Sequence, residues 1–389
     1  MGYTVGYAAE LFLLAAICVA QWHLGRTAFA HTAGLPSVLR IGVRTLLMVA
    51  GTAILLGLIL SLPGVSSWRL NGLFVGCVRG GALLWSFTSS VSWAIYRVLR
   101  LIRWHTDEVD PTRRALLRSA GTAAVAAPFV VVGFGALIER TAFRVREIDV
   151  PIPGLPNDLQ GLRLVHLSDI HLSPFLSERE FAKVVDTAND LRPHLVLVTG
   201  DLISSHGDPL DACLHQLSRL RSDAGVLGCL GNHEIYAGTE AYTTAQAGRL
   251  GIPFLRYTAQ QFRFGEALVN IGGVDYQKMN WRSHYLQRAE RLVAPGALNV
   301  LLSHNPDVFP AAAAQHWDIT FAGHTHGGQV NMEILHASLN VARFYTPYVY
   351  GLYRSGPSSI YVTRGIGTIG MPARLGAPPE IALVRLRRA

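Results

Sequence analysis

The chain has 389 residues, of which 50% are hydrophobic and only 15% are charged. This composition is too apolar for an ordinary soluble protein and predicts a membrane part beside a soluble one. The formal net charge of +8 lies almost entirely in residues 1–140, with twelve arginines against five acidic residues, so the rest is nearly neutral and nucleic acid is not an expected partner.

Four apolar runs occupy the first 140 residues, and each approaches the roughly 20 residues that cross a bilayer as a helix. They cover residues 5–22, 45–62, 80–96 and 119–138, and the third is shorter and more polar than the others. The sequence therefore predicts a transmembrane region over 1–140, formed by a bundle of about four helices. A soluble domain is expected over 145–389.

The arginines indicate the orientation of these spans, because cytoplasmic loops are enriched in positive charge. Nine arginines lie in the loops 23–44 and 97–118, whereas five lie on the opposite side. This distribution predicts a multi-pass protein of the bacterial inner membrane with its C-terminal domain outside the cytoplasm. Arg113 and Arg114 precede the last apolar run as in a twin-arginine export signal, and a plain basic anchor is the alternative.

The four cysteines are too few for a disulfide scaffold. Cys18 and Cys77 lie in or beside apolar runs, and Cys213 and Cys229 have no metal-binding spacing. The last two are interpreted as buried free thiols, with a disulfide between them as the alternative.

From about residue 145, short apolar runs alternate with helical patterns, which is typical of an α/β domain. The runs cover residues 162–167, 195–198, 226–230, 268–274, 299–302 and 318–322. Between the first two, Ser177 and Glu180 form a capping-box pattern at the start of a helix that ends before Pro193.

Most of these runs end in a small or polar residue and then a side chain that can bind metal. The side chains are Asp169 with His171, Asp201, Asn232 with His233, His304, and His324 with His326. Each alone fits a surface pair, a turn or a structural histidine. Because ligands in α/β domains gather at the carboxyl ends of strands, the five elements together predict one metal site.

The ordered motifs Asp-x-His, Gly-Asp, Gly-Asn-His-Glu, a lone His and Gly-His-Thr-His resemble the calcineurin-like metallophosphoesterase family over about residues 160–385. The continuation at 327–329, with 351–353 and 364–381, is similar to a bacterial membrane-associated branch. That branch includes twin-arginine-exported phosphoesterases and relatives of UDP-2,3-diacylglucosamine pyrophosphatase. The resemblance implies a β-sandwich flanked by helices. In one departure, residues 202–206 hold no acidic residue where many members have one.

The resemblance also implies a centre for two divalent ions, with manganese expected and iron or zinc as alternatives. One ion would take Asp169, His171 and His326, the other would take Asn232, His304 and His324, and Asp201 would bridge them. Two such ions about 3.5 to 4 Å apart share a hydroxide that attacks phosphorus. His233, which takes neither ion, is the expected general acid, with Glu234 orienting it.

The expected activity is hydrolysis of a phosphate ester, and the predicted membrane region points to a lipid-linked or envelope substrate. One alternative is the UDP-2,3-diacylglucosamine pyrophosphatase of lipid A synthesis, which requires a domain on the cytoplasmic face. A second is a non-catalytic interaction protein on the same scaffold, which the full set of ligand-type residues argues against. A nuclease is disfavoured by the near-neutral charge of the domain.

Overall fold

A computed structural model describes residues 2–60, 72–102, 110–334 and 337–389. The N-terminal part is helical, with α1 at Gly2–His31, α2 at Ser37–Ile59, α3 at Gly72–Ile102 and α4 at Pro111–Leu137. Asp110 caps α4 by accepting a hydrogen bond from the Thr112 N–H at 3.2 Å. These helices and residues 370–373 form one compact unit, and the remaining residues from 139 onward form a second.

Two of the four predicted spans fall on helices that are long and apolar enough to cross a membrane. These are Ser37–Ile59, with a mean hydropathy of 1.9, and Pro111–Thr141, with 2.0. The run 80–96 lies in α3, which does not meet this criterion in the described chain, and most of the run 5–22 in α1 lies among residues whose side chains the structure does not describe. The described chain therefore has two candidate spans and not the predicted bundle of four. Residues 61–62 of the second run lie outside the described residues.

Polar side chains explain why α3 does not meet this criterion. Gln21 of α1 donates hydrogen bonds to Ser89 Oγ at 2.8 Å and Ser90 Oγ at 3.2 Å, both in α3. Ser86 and Ser92 of α3 are buried as well. These hydroxyls lower the hydropathy of α3 and join it to α1 through polar contacts.

The second unit alternates strands and helices along the chain. In order these are β1 (Arg144–Ile152), β2 (Arg163–Leu167), α5 (Glu178–Asp190), β3 (Leu195–Thr199), α6 (Leu210–Leu217), β4 (Val226–Cys229), α7 (Asn232–Ala237), α8 (Glu240–Arg249), β5 (Thr258–Phe264), β6 (Ala267–Gly273), β7 (Leu298–Leu302), α9 (Phe309–Ala314), β8 (Ile319–Ala322), β9 (Asn331–Ile334), β10 (Ala337–Asn340), β11 (Gly351–Ser355), β12 (Ser358–Val362) and β13 (Glu380–Arg388). All six apolar runs of the sequence therefore form strands.

The strands form two large sheets. One has the order β1, β13, β2, β3, β4, and the other has the order β11, β12, β8, β7, β6, β5. Strands β2, β3 and β4 are parallel to one another, as are β6, β7, β8 and β12. β3, β4, β7 and β8 are buried along their whole length, which explains why they read as continuous apolar runs.

A shared apolar core joins the two sheets face to face. Leu164 and Leu197 of the first sheet belong to the same buried cluster as Ile271, Val300 and Phe321 of the second. Helices α5 and α6 pack on the outer face of the first sheet, and α9 packs on the outer face of the second. This four-layer arrangement is the predicted β-sandwich flanked by helices.

Two local predictions are confirmed. At the start of α5, the Ser177 N–H donates to Glu180 Oε2 at 2.8 Å and the Glu180 N–H donates to Ser177 Oγ at 3.2 Å, which completes the capping box. Cys213 and Cys229 are buried free thiols, and burial raises the pKa of both well above the usual value. Neither forms a disulfide.

Candidate metal centre

The parallel strands of both sheets deliver polar side chains to one edge of the sandwich. Asp169 follows β2, Asp201 follows β3, and Asn232 follows β4. In the second sheet, His304 follows β7 and His324 follows β8. His171 and His326 come two residues after the first and last of these positions. The structure therefore brings together the seven side chains predicted as ligands.

Ligand-type atoms of these side chains form overlapping groups. In each group the atoms lie within 4.8 Å of one another, and the groups are Asp169 with His171 and His326, Asp201 with His304 and His324, and His171 with Asp201 and His233. The first two groups match the two ion positions that the family resemblance implies. In the third group His233 would be a metal ligand, whereas the family resemblance implies that it is the general acid.

Asp201 lies at the centre of the groups. Its Oδ2 is 3.0 Å from His304 Nε2 and 3.6 Å from His171 Nε2. Its Oδ1 accepts a hydrogen bond from the His233 N–H at 2.8 Å. One carboxylate thus faces a histidine of each predicted ion position, as a bridging ligand requires.

Several buried polar atoms at this edge fit a cation. Asn232 Oδ1 and His326 Nδ1 have no hydrogen-bond partner within the described chain. His171 Nε2 and His326 Nε2 lie 3.1 Å apart, and burial lowers the pKa of both rings, so each neutral imidazole has a bare nitrogen that can bind a cation. Nitrogen and carboxylate donors without sulfur suit manganese, iron or zinc, so the residues present fit divalent ions.

Burial and neighbouring charges shift the pKa values of the site residues in different directions. Burial lowers the pKa of His171 and His324 to about 3, which keeps both imidazoles neutral. Burial also lowers the pKa of His304, but the Asp201 carboxylate outweighs it and raises that pKa to about 10. Burial raises the pKa of Asp169 to about 6. The space between Asp201 and His304 therefore favours positive charge.

Backbone strain accompanies these positions. Asp169, His171, Asp201, His324 and His326 all have positive φ, between 48° and 73°. L-residues rarely adopt this region, and residues held there cluster at functional sites. Close packing enforces the geometry: a Cβ on Gly323 would lie 2.1 Å from Asp169 Oδ2.

Glu234 holds two of the site loops together. Its carboxylate accepts hydrogen bonds from the backbone N–H groups of Asp201 at 3.0 Å, Leu202 at 2.7 Å and Gly231 at 2.7 Å, and the side chain is fully buried. It therefore fixes the loops after β3 and β4, whereas the sequence suggested that it orients the His233 ring.

Ser204 orients two histidines of the site. Its backbone carbonyl accepts a hydrogen bond from His233 Nδ1 at 2.6 Å, and its Oγ lies 3.1 Å from His171 Nδ1. A carbonyl can only accept, so His233 Nδ1 carries a hydrogen and Nε2 is its other nitrogen. Asp208 Oδ2 in turn accepts from the Ser204 N–H at 2.9 Å. Sequence reasoning found no role for Ser204 and placed it only in a stretch that lacks the family's acidic residue.

Two further residues support the site: Thr199 lies outside every motif, and Arg374 lies in the stretch 364–381 that carries the family resemblance. The Thr199 carbonyl accepts from His304 Nδ1 at 2.6 Å. Arg374 is fully buried and donates to the carbonyls of Gly367 at 3.0 Å and Ala377 at 2.9 Å. Its Nη1 also donates to the His326 carbonyl at 3.4 Å, so the arginine joins its own loop to a ligand loop.

The histidines without a motif position are structural or exposed, as expected. His166 is buried and bonded to Thr199 Oγ1 at 2.8 Å, and His194 Nδ1 accepts from the Arg163 N–H at 2.9 Å. His215, His284 and His316 are exposed. His336 lies outside the described residues.

The fold and this cluster of acids and histidines define a metal-dependent hydrolase built on two packed sheets. Comparison with known proteins narrows that class, because residues 162–328 match the calcineurin-like phosphoesterase family. A relative from Bos taurus, named "Transmembrane protein with metallophosphoesterase domain", is 30% identical over 310 residues, which cover 75% of this chain and 68% of the relative.

Two other similar proteins also carry metallophosphoesterase in their names. A Danio rerio protein of the same name is 30% identical over 63% of this chain, and the match spans 58% of that relative's length. The "Uncharacterized metallophosphoesterase YkuE" of Bacillus subtilis (strain 168) is 27% identical over 66% of this chain and 89% of its own. The chain belongs to the calcineurin-like phosphoesterase family, whose members are metal-dependent hydrolases of phosphoester bonds.

Proposed function

We propose that this chain is a membrane-anchored hydrolase of phosphate esters with a centre for two divalent ions. The observation that carries the proposal is the position of Asp201, whose carboxylate faces His171 on one side and His304 on the other. Asp169, His171 and His326 would hold one ion, and Asn232, His304 and His324 the other. Two divalent ions supply charge neutralisation at phosphorus and an acidified water.

The chain's own residues shape the reaction around that centre. Asp169 accepts two hydrogen bonds from the His324 N–H, at 2.9 and 3.1 Å, so the ligand loops of the two sheets are tied to each other. Because Ser204 fixes His233 Nδ1, the ring directs Nε2 away from that carbonyl. His233 Nε2–H would then donate its proton to the leaving oxygen of the ester.

Turnover should depend on manganese or a similar ion. For the purified full chain in detergent, we expect hydrolysis of an aryl phosphodiester or monoester that is lost on chelation with EDTA and restored by manganese. Chelation should also lower the midpoint of thermal unfolding, since ions that bind only the folded state stabilise it. A chain that turns over equally with and without chelator would rule out a metal centre.

Ser204→Ala should weaken the first ion position. The change removes the hydroxyl at His171 Nδ1 and leaves the carbonyl that holds His233 in place. Loss of such a supporting partner lowers metal affinity by about 10- to 100-fold, and a manganese titration of activity measures it. Ser205→Ala, at the exposed neighbouring position, is the matched control. Equal titration midpoints for the two variants would contradict the role of the hydroxyl.

We place the protein in the bacterial inner membrane, anchored through α2 and α4, with its catalytic unit outside the cytoplasm and a lipid-linked or envelope substrate. The two apolar helices support the anchor. The six arginines of residues 97–118 support the orientation, because they lie at the amino-terminal end of α4 and positive charge favours the cytoplasmic side there. Reporter fusions after residue 389 test it in a bacterial host. We expect an alkaline phosphatase fusion to be active and a cytoplasmic fluorescent reporter to be dark. The reverse pattern would put the catalytic unit inside.

A further inference from the structure

Three large apolar side chains are more exposed than the others in the described catalytic unit. They are Phe344, Tyr236 and Trp281, which expose 69%, 67% and 56% of their surface. Tyr236 lies in α7, and its ring is 5.4 Å from the His233 ring. We call these three residues the aromatic rim. Tyrosine and tryptophan combine an apolar body with a polar tip, which suits them to the boundary between water and lipid.

The two segments that carry Trp281 and Phe344 both contact loops of the metal centre. Asn340, which precedes Phe344, donates through Nδ2 to the Gly327 carbonyl at 2.9 Å. The segment that carries Trp281 follows β6, and its Tyr276 ring packs 5.4 Å from the His324 ring. Arg282 Nη2 donates to Asp307 Oδ2 at 2.7 Å and to the Tyr345 carbonyl at 3.3 Å. This arginine therefore joins the segment of Trp281 to the segment of Phe344.

The surface around these two aromatic residues is basic. Lys278 Nζ lies 5.2 Å above the Trp281 ring, and Arg343 is exposed next to Phe344. No acidic residue occurs in 276–289 or in 334–379, although the domain as a whole is nearly neutral. Cations beside exposed aromatic rings favour an anionic lipid surface.

The chain enters the catalytic unit at the same edge. Arg144, the first residue of β1, pairs with Glu380, whose N–H donates to the Gly365 carbonyl at 3.0 Å. A Cβ on Gly365 would lie 2.6 Å from Asp169 Cβ, so this entry point is close to the centre. The apolar span Pro111–Thr141 ends only a few residues before Arg144.

We propose that the aromatic rim contacts the headgroup layer of an anionic bilayer and presents the phosphoester of a membrane amphiphile to the metal centre. The inference rests on the proposed function for the reaction itself. Exposed aromatic rings, basic neighbours and the entry of the anchored strand all lie at the edge that carries the centre. A substrate that carries acyl chains would keep its tail in the bilayer while its phosphate reaches the ligand side chains.

Fluorescence quenching tests the contact without any turnover. The full chain with Cys18→Ser and Cys77→Ser would carry Phe344→Cys labelled with nitrobenzoxadiazole, because Cys213 and Cys229 are buried and unreactive. In nanodiscs we expect quenching by nitroxide lipids, stronger when phosphatidylglycerol is present. Leu250→Cys is the control. Leu250 is 44% exposed and precedes a segment that pairs in parallel with β4, which places it toward the opposite edge. Equal quenching at the two positions would overturn the proposal.

Two substrates with the same leaving group test whether the aromatic rim favours an ester that carries an acyl-like chain. For the nanodisc-bound chain, kcat/KM is compared for hexadecyl and methyl p-nitrophenyl phosphate. The double variant Trp281→Ser, Phe344→Ser should lower the hexadecyl-to-methyl ratio by about tenfold or more, and Leu250→Ser should not. An unchanged ratio in the double variant would overturn the proposal. Hydrolysis of neither ester would refute the proposed function, and the quenching experiment would still decide on the rim.

Discussion

Asp201→Asn is expected to reduce turnover of the full chain by about 10³-fold, which corresponds to about 4 kcal/mol of transition-state stabilisation. The amide keeps an oxygen that accepts from the His233 N–H, so the local fold should persist. Its NH₂ group would replace the oxygen that lies 3.0 Å from His304 Nε2 and 3.6 Å from His171 Nε2. Both predicted ion positions lose their shared negative charge.

The measurement is turnover of an aryl phosphodiester together with bound metal by mass spectrometry. Asp190→Asn is the matched control, because Asp190 is exposed on α5 and belongs to no motif. It should retain the activity and the metal of the unmodified chain. An Asp201→Asn variant that keeps full activity would remove the bridging role and, with it, the main support for a dinuclear centre.

His233→Asn is expected to lower turnover by about 10²- to 10⁴-fold for esters with poor leaving groups, because such oxygens need a proton as they depart. Esters of nitrophenols leave readily as anions, so their loss should be much smaller. The slope of log kcat against leaving-group pKa should therefore become steeper in the variant. His206→Asn, at an exposed position of the preceding loop, provides the control.

Metal content separates the two roles that the geometry offers His233. If it acts as an acid, the variant retains its ions and only the leaving-group dependence changes. If it is a ligand in the group with His171 and Asp201, the variant loses metal and all esters slow by the same factor. The second result would contradict the acid role and assign His233 to the ion beside His171.

The sequence was least informative about the helical part. The apolar runs predicted four spans, and the described chain has two candidate helices, because the serines of α3 lower the hydropathy of that helix. Hydropathy measures how favourably a segment moves from water into a bilayer. It does not show which helices pack together, and that packing decides the hydrogen-bond partner of Gln21. No local pattern links Gln21 to Ser89.

The sequence by itself determined the strands and the ligand-type residues, because both are local. A buried strand reads as an apolar run, and Asp169, Asp201, Asn232, His304 and His324 each follow such a run within a few residues. Parallel strands place their carboxyl ends at one edge, so convergence of the motifs follows from strand direction.

Only the tertiary structure decided what holds those residues in place. Glu234 reaches the amides of the loop after β3, Ser204 contacts His171 and His233, and Arg374 donates to the His326 carbonyl. These contacts join segments that come together only when the sheets pack. The left-handed backbone at the site residues arises in the same way: packing imposes a conformation that the residue types disfavour, and no sequence pattern records it.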